Sequence, residues 1–201
     1  MNESAAFPRF GFLALLVALF LAGCQAAPAA DPPLKGATMG GPFTLTAMDG
    51  RRVRDTDFAG KYRLVYFGFT FCPDVCPTDL ATIGAGLRRF EESDSERAAR
   101  VQPLFISVDP ARDTPPVIAR YVAAFHPRII GLTGSEAEIA RVARAHGIYY
   151  ERQPPAAPGG DYLVDHTRII VLYGPQGEPL AIVPHDQGPQ AVAAELERWV
   201  R

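Results

Sequence analysis

The residues best suited to do chemistry in this sequence are two cysteines in the segment Cys72-Pro73-Asp74-Val75-Cys76-Pro77. They follow an apolar run at residues 64–69, and the third cysteine of the chain, Cys24, lies far upstream. Two thiols four positions apart can form a disulfide, hold a soft metal ion, or do each at different times. The first question is therefore which of these chemistries the surrounding residues favour.

The prolines of this segment bear on that question. Proline is favoured at the first position of a helix, so Pro77 predicts a helix start that makes Cys76 the N-cap residue. Both Cys72 and Cys76 would then lie near the positive end of the helix dipole, which favours the thiolate, the form that binds metals. Three residues separate the cysteines, one more than in the redox Cys-x-x-Cys motif, and the wider loop favours a chelate. A static disulfide that cross-links a turn is the structural alternative.

Four histidines are candidates for further ligands, because imidazole also binds copper and zinc. His126 and His146 lie at the ends of predicted helices, where a capping or surface role is expected. His185 lies in a polar loop. His166 leads directly into an apolar strand, so it could reach the same rim of the sheet as the cysteines. Its position alone leaves a ligand role and a purely structural role equally open.

The apolar pattern predicts the elements that must position these groups. The expected elements are a hairpin at residues 43–53, buried strands at 64–69, 101–108 and 129–132, helices at 78–92, 115–125, 135–145 and 190–200, and a second hairpin at 167–183. Strands that alternate with helices predict an α/β protein. We expect a thioredoxin-like fold, with a central mixed sheet flanked by helices and an N-terminal β-hairpin. The cysteines would follow the first buried strand, at the edge of the sheet where reactive groups gather.

The N-terminal residues predict export. An apolar run at residues 10–22 is short for a membrane span and is typical of a signal peptide. It ends in Leu21-Ala22-Gly23-Cys24, which resembles the bacterial lipobox, so we expect a lipoprotein-type signal peptide at residues 1–23 and lipidation of Cys24. An ordinary cleaved signal and an uncleaved anchor are the alternatives. A flexible linker is expected at residues 24–39 and a folded domain at residues 40–201.

This organisation predicts a protein of the bacterial cell envelope that faces the periplasm and is anchored to a membrane through Cys24. An oxidising compartment permits a disulfide between Cys72 and Cys76 in the oxidised form. The 201-residue chain has a formal net charge of −2. Because it has no basic surplus, no nucleic-acid partner is expected.

Five stretches of the sequence match the pattern of one known family. They are Gly68-Phe69-Thr70-Phe71-Cys72-Pro73-Asp74-Val75-Cys76-Pro77, Gly41-Pro42-Phe43-Thr44-Leu45, Ser107-Val108-Asp109-Pro110-Ala111-Arg112-Asp113-Thr114-Pro115, Gly131-Leu132-Thr133-Gly134 and Tyr162-Leu163-Val164-Asp165-His166-Thr167. On these stretches the chain resembles the Sco/SenC family of copper-binding, thioredoxin-like proteins of the respiratory chain. The resemblance extends over roughly residues 40–200.

The resemblance implies that Cys72, Cys76 and His166 bind copper as Cu(I), with binding of Cu(II) left open. It also implies a role in assembling the binuclear copper A centre of cytochrome c oxidase subunit II. We therefore predict a copper metallochaperone that delivers copper to that subunit. Asp74 and Asp165 are candidates to orient the ligands or tune their charge. The alternative, that both are solvated carboxylates of surface loops, is equally open.

Other functions use the same cysteines. In a thiol–disulfide oxidoreductase, Cys72 and Cys76 would cycle between dithiol and disulfide without an obligatory metal, and would reduce the cysteines of that subunit or of another exported protein. His166 would then merely lie nearby. A peroxidase of related fold would carry a threonine two or three residues before a lone catalytic cysteine that comes after a proline, whereas here a proline follows each cysteine. A copper sensor that signals through a partner is also compatible with the site.

Overall fold

The computed structural model describes residues 30–155, 157 and 160–201. The expected signal peptide and Cys24 lie outside the described residues. A compact unit spans Pro32–Arg201. Near its start, Leu34 donates its backbone N–H to Leu180 O at 2.9 Å and packs against the core. No helix in the described part of the chain is both long and apolar enough to cross a membrane.

The described residues of this unit form nine strands and five α-helices. The strands are β1 (Thr44–Ala47), β2 (Arg52–Arg54), β3 (Tyr62–Gly68), β4 (Val101–Ser107), β5 (Ile130–Thr133), β6 (Tyr150–Arg152), β7 (Val164–His166), β8 (Ile170–Tyr173) and β9 (Pro179–Ile182), and the helices are α1 (Val75–Ser93), α2 (Ser95–Ala99), α3 (Pro115–Ala123), α4 (Glu136–Ala145) and α5 (Pro189–Trp199). Two short 3₁₀ helices span Asp55–Phe58 and His185–Gln187.

Seven strands form the central sheet, in the order β2-β1-β5-β4-β3-β8-β9. Strand β4 is parallel to β3 and β5, whereas β8 is antiparallel to β3, so the sheet is mixed. All seven residues of β3 are buried, as expected for a strand covered on both faces. Strands β1 and β2 form the N-terminal hairpin. The predicted thioredoxin-like α/β fold is confirmed.

Helix α1 carries the polypeptide away from the end of β3 and packs closely on α5. Gly86 makes this approach possible, because a Cβ atom there would lie 2.5 Å from a side-chain carbon of Val192. The buried face of α1 includes Leu80, Leu87 and Phe90, which are at most 1% exposed. Helix α1 is therefore fixed against the sheet and α5 along its length, and its first turn has a defined position.

Two local features differ from the sequence prediction. Helix α1 begins at Val75 with Asp74 as the N-cap residue, so the prediction that Cys76 is the N-cap is wrong. Pro77 is the third helical residue, a position that tolerates proline because the first N–H groups of a helix have no partner within it. The structure also contains a two-stranded sheet of β6 and β7, which the apolar pattern did not predict because each strand has only three residues.

Candidate metal centre

Cys72 and Cys76 lie at the junction between β3 and α1. Cys72 belongs to the connecting loop and is 9% exposed, whereas Cys76 lies in the first turn of the helix and is fully buried. Both are free thiols. The backbone N–H of Cys76 donates to Cys72 Sγ at 3.3 Å. The loop is thus folded back so that the two sulfurs face the same space.

His166 lies beside this pair, although 90 residues separate it from Cys76 in sequence. Its Nε2 atom is 3.3 Å from Cys76 Sγ, and its Nδ1 atom is 3.1 Å from Thr167 O. A carbonyl oxygen can only accept a hydrogen bond, so Nδ1 carries the proton and the lone pair of Nε2 is directed at the cysteine. This is the tautomer that can bind a metal through Nε2.

The small sheet and two aromatic rings hold His166 in this position. In the register of the sheet, His166 is paired with Tyr150. The rings of Tyr66 and Phe69 stand edge-on to the imidazole, with centroid distances of 6.3 and 6.1 Å. The histidine is therefore held by the small sheet on one side and by residues at the end of β3 on the other.

A cleft of about 250 Å³ opens over Cys72 and His166. Its lining is mainly apolar and consists of Phe69, Cys72, Pro73, Asp74, Val75, Leu163, Val164, Asp165, His166 and Arg168. Within the part of the chain that the structure describes, no set of three or more Cys, His, Asp or Glu side chains is arranged around one point as a formed metal site. The three candidate ligands lie close together without closing on a common centre: Cys72 and His166 line the cleft, and Cys76 is buried beside them.

The two thiols differ in acidity. A hydrogen bond from the Cys76 thiol and others from backbone N–H groups of Cys76, Asp74 and Val75 lower the pKa of Cys72 to about 5, against the opposing effect of burial. The neighbouring Cys72 sulfur and burial raise the pKa of Cys76. The prediction that both cysteines favour the thiolate is thus right for Cys72 and wrong for Cys76. Two adjacent buried sulfurs cannot both carry a negative charge at low cost, so only the more accessible one ionises.

The two candidate supporting carboxylates lie at the mouth of the cleft and are exposed. Asp165 accepts a hydrogen bond from Gln153 Nε2 at 2.9 Å. The backbone carbonyl of Asp74 accepts from Thr78 Oγ1 at 2.9 Å, and the Asp74 side chain caps no N–H of α1. Among the described residues, no hydrogen bond joins either carboxylate to a cysteine or to His166.

Asp79 is a residue of this region that the sequence did not single out. It is 1% exposed and lies one turn of α1 after Cys76. Its carboxylate accepts hydrogen bonds from Arg168 Nε at 2.7 Å, Arg168 Nη2 at 2.5 Å and Tyr66 Oη at 2.9 Å, and it lies 3.4 Å from His185 Nε2. Burial alone would raise the pKa of Asp79, but these partners outweigh it and lower the pKa. In the sequence, the feature that could have pointed to Asp79 was its position three residues after Cys76.

A second network supports the loop that carries Cys72. Asp113 accepts hydrogen bonds from Thr70 N at 3.0 Å, Thr70 Oγ1 at 2.6 Å and Ser107 Oγ at 2.5 Å. These residues lie in stretches that carry the family resemblance, but no role had been assigned to them. The network fixes the start of the cysteine loop to the end of β4.

Arg112 connects the cysteine loop to the segment that precedes His166. Its guanidinium lies 3.6 Å from the ring centroid of Tyr162 and 4.7 Å from that of Phe71. Its Nε donates to Asp109, which also accepts from Tyr162 Oη at 2.7 Å. The cation is thus enclosed by two aromatic rings and a carboxylate, an arrangement that stabilises a partly desolvated arginine.

The other three histidines lie elsewhere. A capping or surface role was expected for both His126 and His146. They are 2% and 4% exposed, which rules out a surface role, whereas the capping role is confirmed for His146. His126 pairs with Glu91 at 3.3 Å, and His146, at the C-cap of α4, packs between the rings of Phe67 and Tyr173. Burial lowers the pKa of both histidines. His185 joins the network of Asp79, which raises the pKa of that histidine.

Comparison with known proteins identifies relatives over most of the chain. The SCO1/SenC family model matches residues 31–201. The human mitochondrial SCO1 homolog is 43% identical over 164 residues, which cover 81% of this chain and 53% of that protein. The chain thus spans about half the length of the curated relatives it matches.

Solved structures show the same relationship. Bradyrhizobium japonicum ScoI with copper bound has 40% sequence identity and a TM-score of 0.72, over 80% of this chain and 99% of that one. BsSco, described as a member of the Sco family of cytochrome c oxidase assembly proteins and as containing a disulfide switch, has 26% identity and a TM-score of 0.60, over 83% of this chain and 94% of that one. The fold, the sequence match and these relatives agree, and the chain belongs to the SCO1/SenC family.

Proposed function

We propose that this protein is a copper metallochaperone that binds copper through Cys72, Cys76 and His166 and delivers it to the copper A site of cytochrome c oxidase subunit II. The observation that carries the proposal is the 3.3 Å approach of His166 Nε2 to Cys76 Sγ, beside Cys72. The family relationship supports it, because a relative is described with copper bound and another as a cytochrome c oxidase assembly protein.

The chemistry of the ligands fits copper. Two sulfur ligands select soft ions such as Cu(I), and imidazole also suits copper. The low pKa of Cys72 supplies one thiolate at neutral pH, and the metal ion itself displaces the proton of the second thiol. Three protein ligands leave a position open to a further ligand. The set therefore suits a cargo that is held and then passed on.

The difference in exposure between the ligands suggests a direction for the transfer. Cys72 lines the cleft and is 9% exposed, whereas Cys76 is fully buried and does not line it. We propose that a thiolate of the partner enters on the side of Cys72 and replaces that ligand first. Cys76 and His166 would then release the copper as further partner ligands bind.

A thiol–disulfide exchange function is the second candidate, and the unequal acidity of the cysteines favours it. The Cys72 thiolate would attack one sulfur of a target disulfide and form a mixed disulfide, with the other target sulfur leaving as a thiolate. Cys76 would lose its proton and attack Cys72 Sγ, which releases the second target thiolate. The products are a Cys72–Cys76 disulfide and a reduced target.

The cellular setting is also a proposal. The sequence at residues 1–24 supports export, lipidation of Cys24 and a position on the periplasmic side of a bacterial membrane. Among the relatives compared, the human SCO1 homolog is mitochondrial.

The test is the copper content of protein purified under reducing conditions and loaded with Cu(I). We expect one copper per wild-type chain and much less in Cys72→Ala, Cys76→Ala and His166→Ala. Thr82→Ala, in the helix that carries Cys76 but away from the three ligands, is the control and should retain the wild-type content. Unchanged copper content in all three site variants would refute the ligand assignment. If copper content falls in His166→Ala while disulfide reduction of the target and oxidase assembly are both retained, thiol exchange is the main function.

A further inference from the structure

We infer that Asp79 is a positioning residue that holds the histidine ligand against the cysteine pair. Two segments supply the candidate ligands. We call residues 69–79 the cysteine arm and residues 162–168 the histidine arm. Asp79 joins the two through side-chain contacts. The inference rests on the proposed function, because it concerns the geometry of the same three ligands.

On the cysteine arm, Asp79 is fixed by the helix that carries Cys76. It lies three residues after Cys76 in α1, so both side chains belong to the same face of the helix. Its side chain is almost fully buried. A buried carboxylate is costly unless cations and hydrogen-bond donors surround it. The position of its partners is therefore constrained by the position of α1.

On the histidine arm, the principal partner is Arg168, two residues after His166. The guanidinium donates from Nε at 2.7 Å and from Nη2 at 2.5 Å, one bond to each oxygen of Asp79. Paired bonds of this kind fix the direction as well as the distance of the partner. Arg168 reaches in from the surface, since 43% of its side chain is exposed. The ion pair thus ties the backbone that follows His166 to α1.

Tyr66 adds a contact from the central sheet. Its hydroxyl donates to Asp79 at 2.9 Å, and its ring is packed edge-on to the His166 imidazole. His185 approaches the same carboxylate from the 3₁₀ helix that precedes α5. Asp79 is therefore the point at which α1, β3 and the histidine arm meet, directly beside the candidate ligands.

A purely structural role and a positioning role of Asp79 lead to different expected effects of its replacement on copper binding. If Asp79 only stabilised the fold, its replacement would weaken copper binding equally whether or not His166 is present. If Asp79 acts through His166, its replacement should matter only when the imidazole is there to be positioned. The energetic coupling between the two residues distinguishes these roles.

The experiment measures Cu(I) affinity by competition with a chromophoric chelator in wild type, Asp79→Asn, His166→Ala and the double variant. We expect Asp79→Asn to weaken binding by about 10–100-fold, as is typical of groups that orient a metal ligand. In the His166→Ala background the same change should alter affinity by less than about threefold, which corresponds to less than 1 kcal/mol. An equal loss in both backgrounds would overturn the inference.

Two further variants distinguish loss of the ion pair from misfolding of the Asp79 variant. Arg168→Gln removes the same ion pair from the exposed side and should reproduce the effect of Asp79→Asn. Asp186→Asn replaces an exposed aspartate beside His185 and should bind copper like wild type. If Arg168→Gln binds copper with wild-type affinity, Asp79 does not act through the histidine arm.

A readout without copper separates this inference from the proposed function. Nitrogen NMR of the reduced, metal-free protein reports which imidazole nitrogen of His166 carries the proton. Wild type should show the proton on Nδ1, and Asp79→Asn should show a mixture of tautomers. An unchanged tautomer in Asp79→Asn would count against positioning. If wild type binds no copper, the proposed function fails, and the NMR result still decides whether Asp79 orients His166.

Discussion

The cysteine arm and the histidine arm are held in different ways. The cysteine arm runs from β3, which is hydrogen-bonded to strands on both sides, into a 19-residue helix. The histidine arm contains β7, a strand of three residues that is paired, in the part of the chain that the structure describes, with the equally short β6 alone. It is connected to the main body by side chains, chiefly those of Arg168, Tyr162 and Thr167. The central sheet and a long helix thus position two of the candidate ligands, whereas a two-stranded sheet and side-chain contacts position the third.

The proposed copper chaperone must both hold and release its metal, and the difference between the two arms fits that requirement. A rigid cysteine pair would supply most of the binding free energy. A histidine on a less extensively bonded element can move at lower cost, because local stability follows the number of buried contacts and backbone bonds. Substitutions that loosen the cysteine arm should therefore lower the stability of the whole fold. Substitutions that loosen the histidine arm should mainly weaken copper binding.

The largest effect on stability is expected from the helix that carries the cysteine arm. Leu87 is fully buried on α1, so Leu87→Ala should lower the free energy of unfolding by about 2–5 kcal/mol. Urea denaturation of the metal-free protein measures this value. A loss below 1 kcal/mol would mean that α1 is less firmly packed than the structure indicates.

The acidity of Cys72 should be a property of the cysteine arm alone. The groups that lower its pKa to about 5 are the Cys76 thiol and amides of the same arm. The rate of Cys72 alkylation by iodoacetamide should therefore stay nearly constant from pH 8 to pH 6 and fall by half near pH 5. Urea-unfolded protein, whose thiols have an ordinary pKa of about 8.5, should already lose reactivity below pH 8.

The lowered pKa of Cys72 also makes the free energy of unfolding depend on pH. Because the pKa of Cys72 is lower in the folded state, the stabilisation that its thiolate contributes is complete above the pKa of the unfolded thiol. That stabilisation is lost as the pH falls towards about 5.

His166→Ala serves as the control for the alkylation experiment and should leave the dependence of the alkylation rate on pH unchanged. A profile in His166→Ala that shifts by a full pH unit would show that the arms are coupled more strongly than we infer.

A smaller effect is expected from the attachment of the histidine arm. Thr167 Oγ1 accepts the N–H of Tyr149 at 3.0 Å. Thr167→Val should cost only about 0.5–1.5 kcal/mol of stability, yet weaken Cu(I) binding by about tenfold because His166 is less well oriented. Chelator competition and urea denaturation on the same sample measure both values. Thr82→Val, on α1, is the matched control, and a variant of Thr167 with unchanged affinity would contradict the comparison.

The smallest effect is expected at the mouth of the cleft. Asp74 and Asp165 are exposed and make no hydrogen bond to the ligands among the described residues. The interaction of an exposed charge with another charge contributes about 1 kcal/mol or less. Asp74→Asn and Asp165→Asn should therefore each change Cu(I) affinity by less than about fivefold. Measurement at low and at high salt tests this, and a larger change that persists at high salt would give these carboxylates a direct role in orienting ligands.

The two arms also differ in how far the sequence predicted them. The cysteine arm is local, so an apolar strand, two prolines and a helical apolar stripe were enough to place it. The start of α1 was misplaced by two residues because proline is tolerated throughout the first turn. The histidine arm depends on pairing over long sequence distances. Nothing local predicts that Tyr150 pairs with His166 or that Asp79 binds Arg168, so position alone left His166 open and Asp79 unnoticed.

The most direct test of the central claim is X-ray absorption spectroscopy at the copper edge of the Cu(I)-loaded, reduced protein. We predict two sulfur ligands and one imidazole nitrogen at the copper, and loss of the nitrogen alone in His166→Ala. A site with sulfur ligands only in the wild type, and with the same spectrum in His166→Ala, would contradict it.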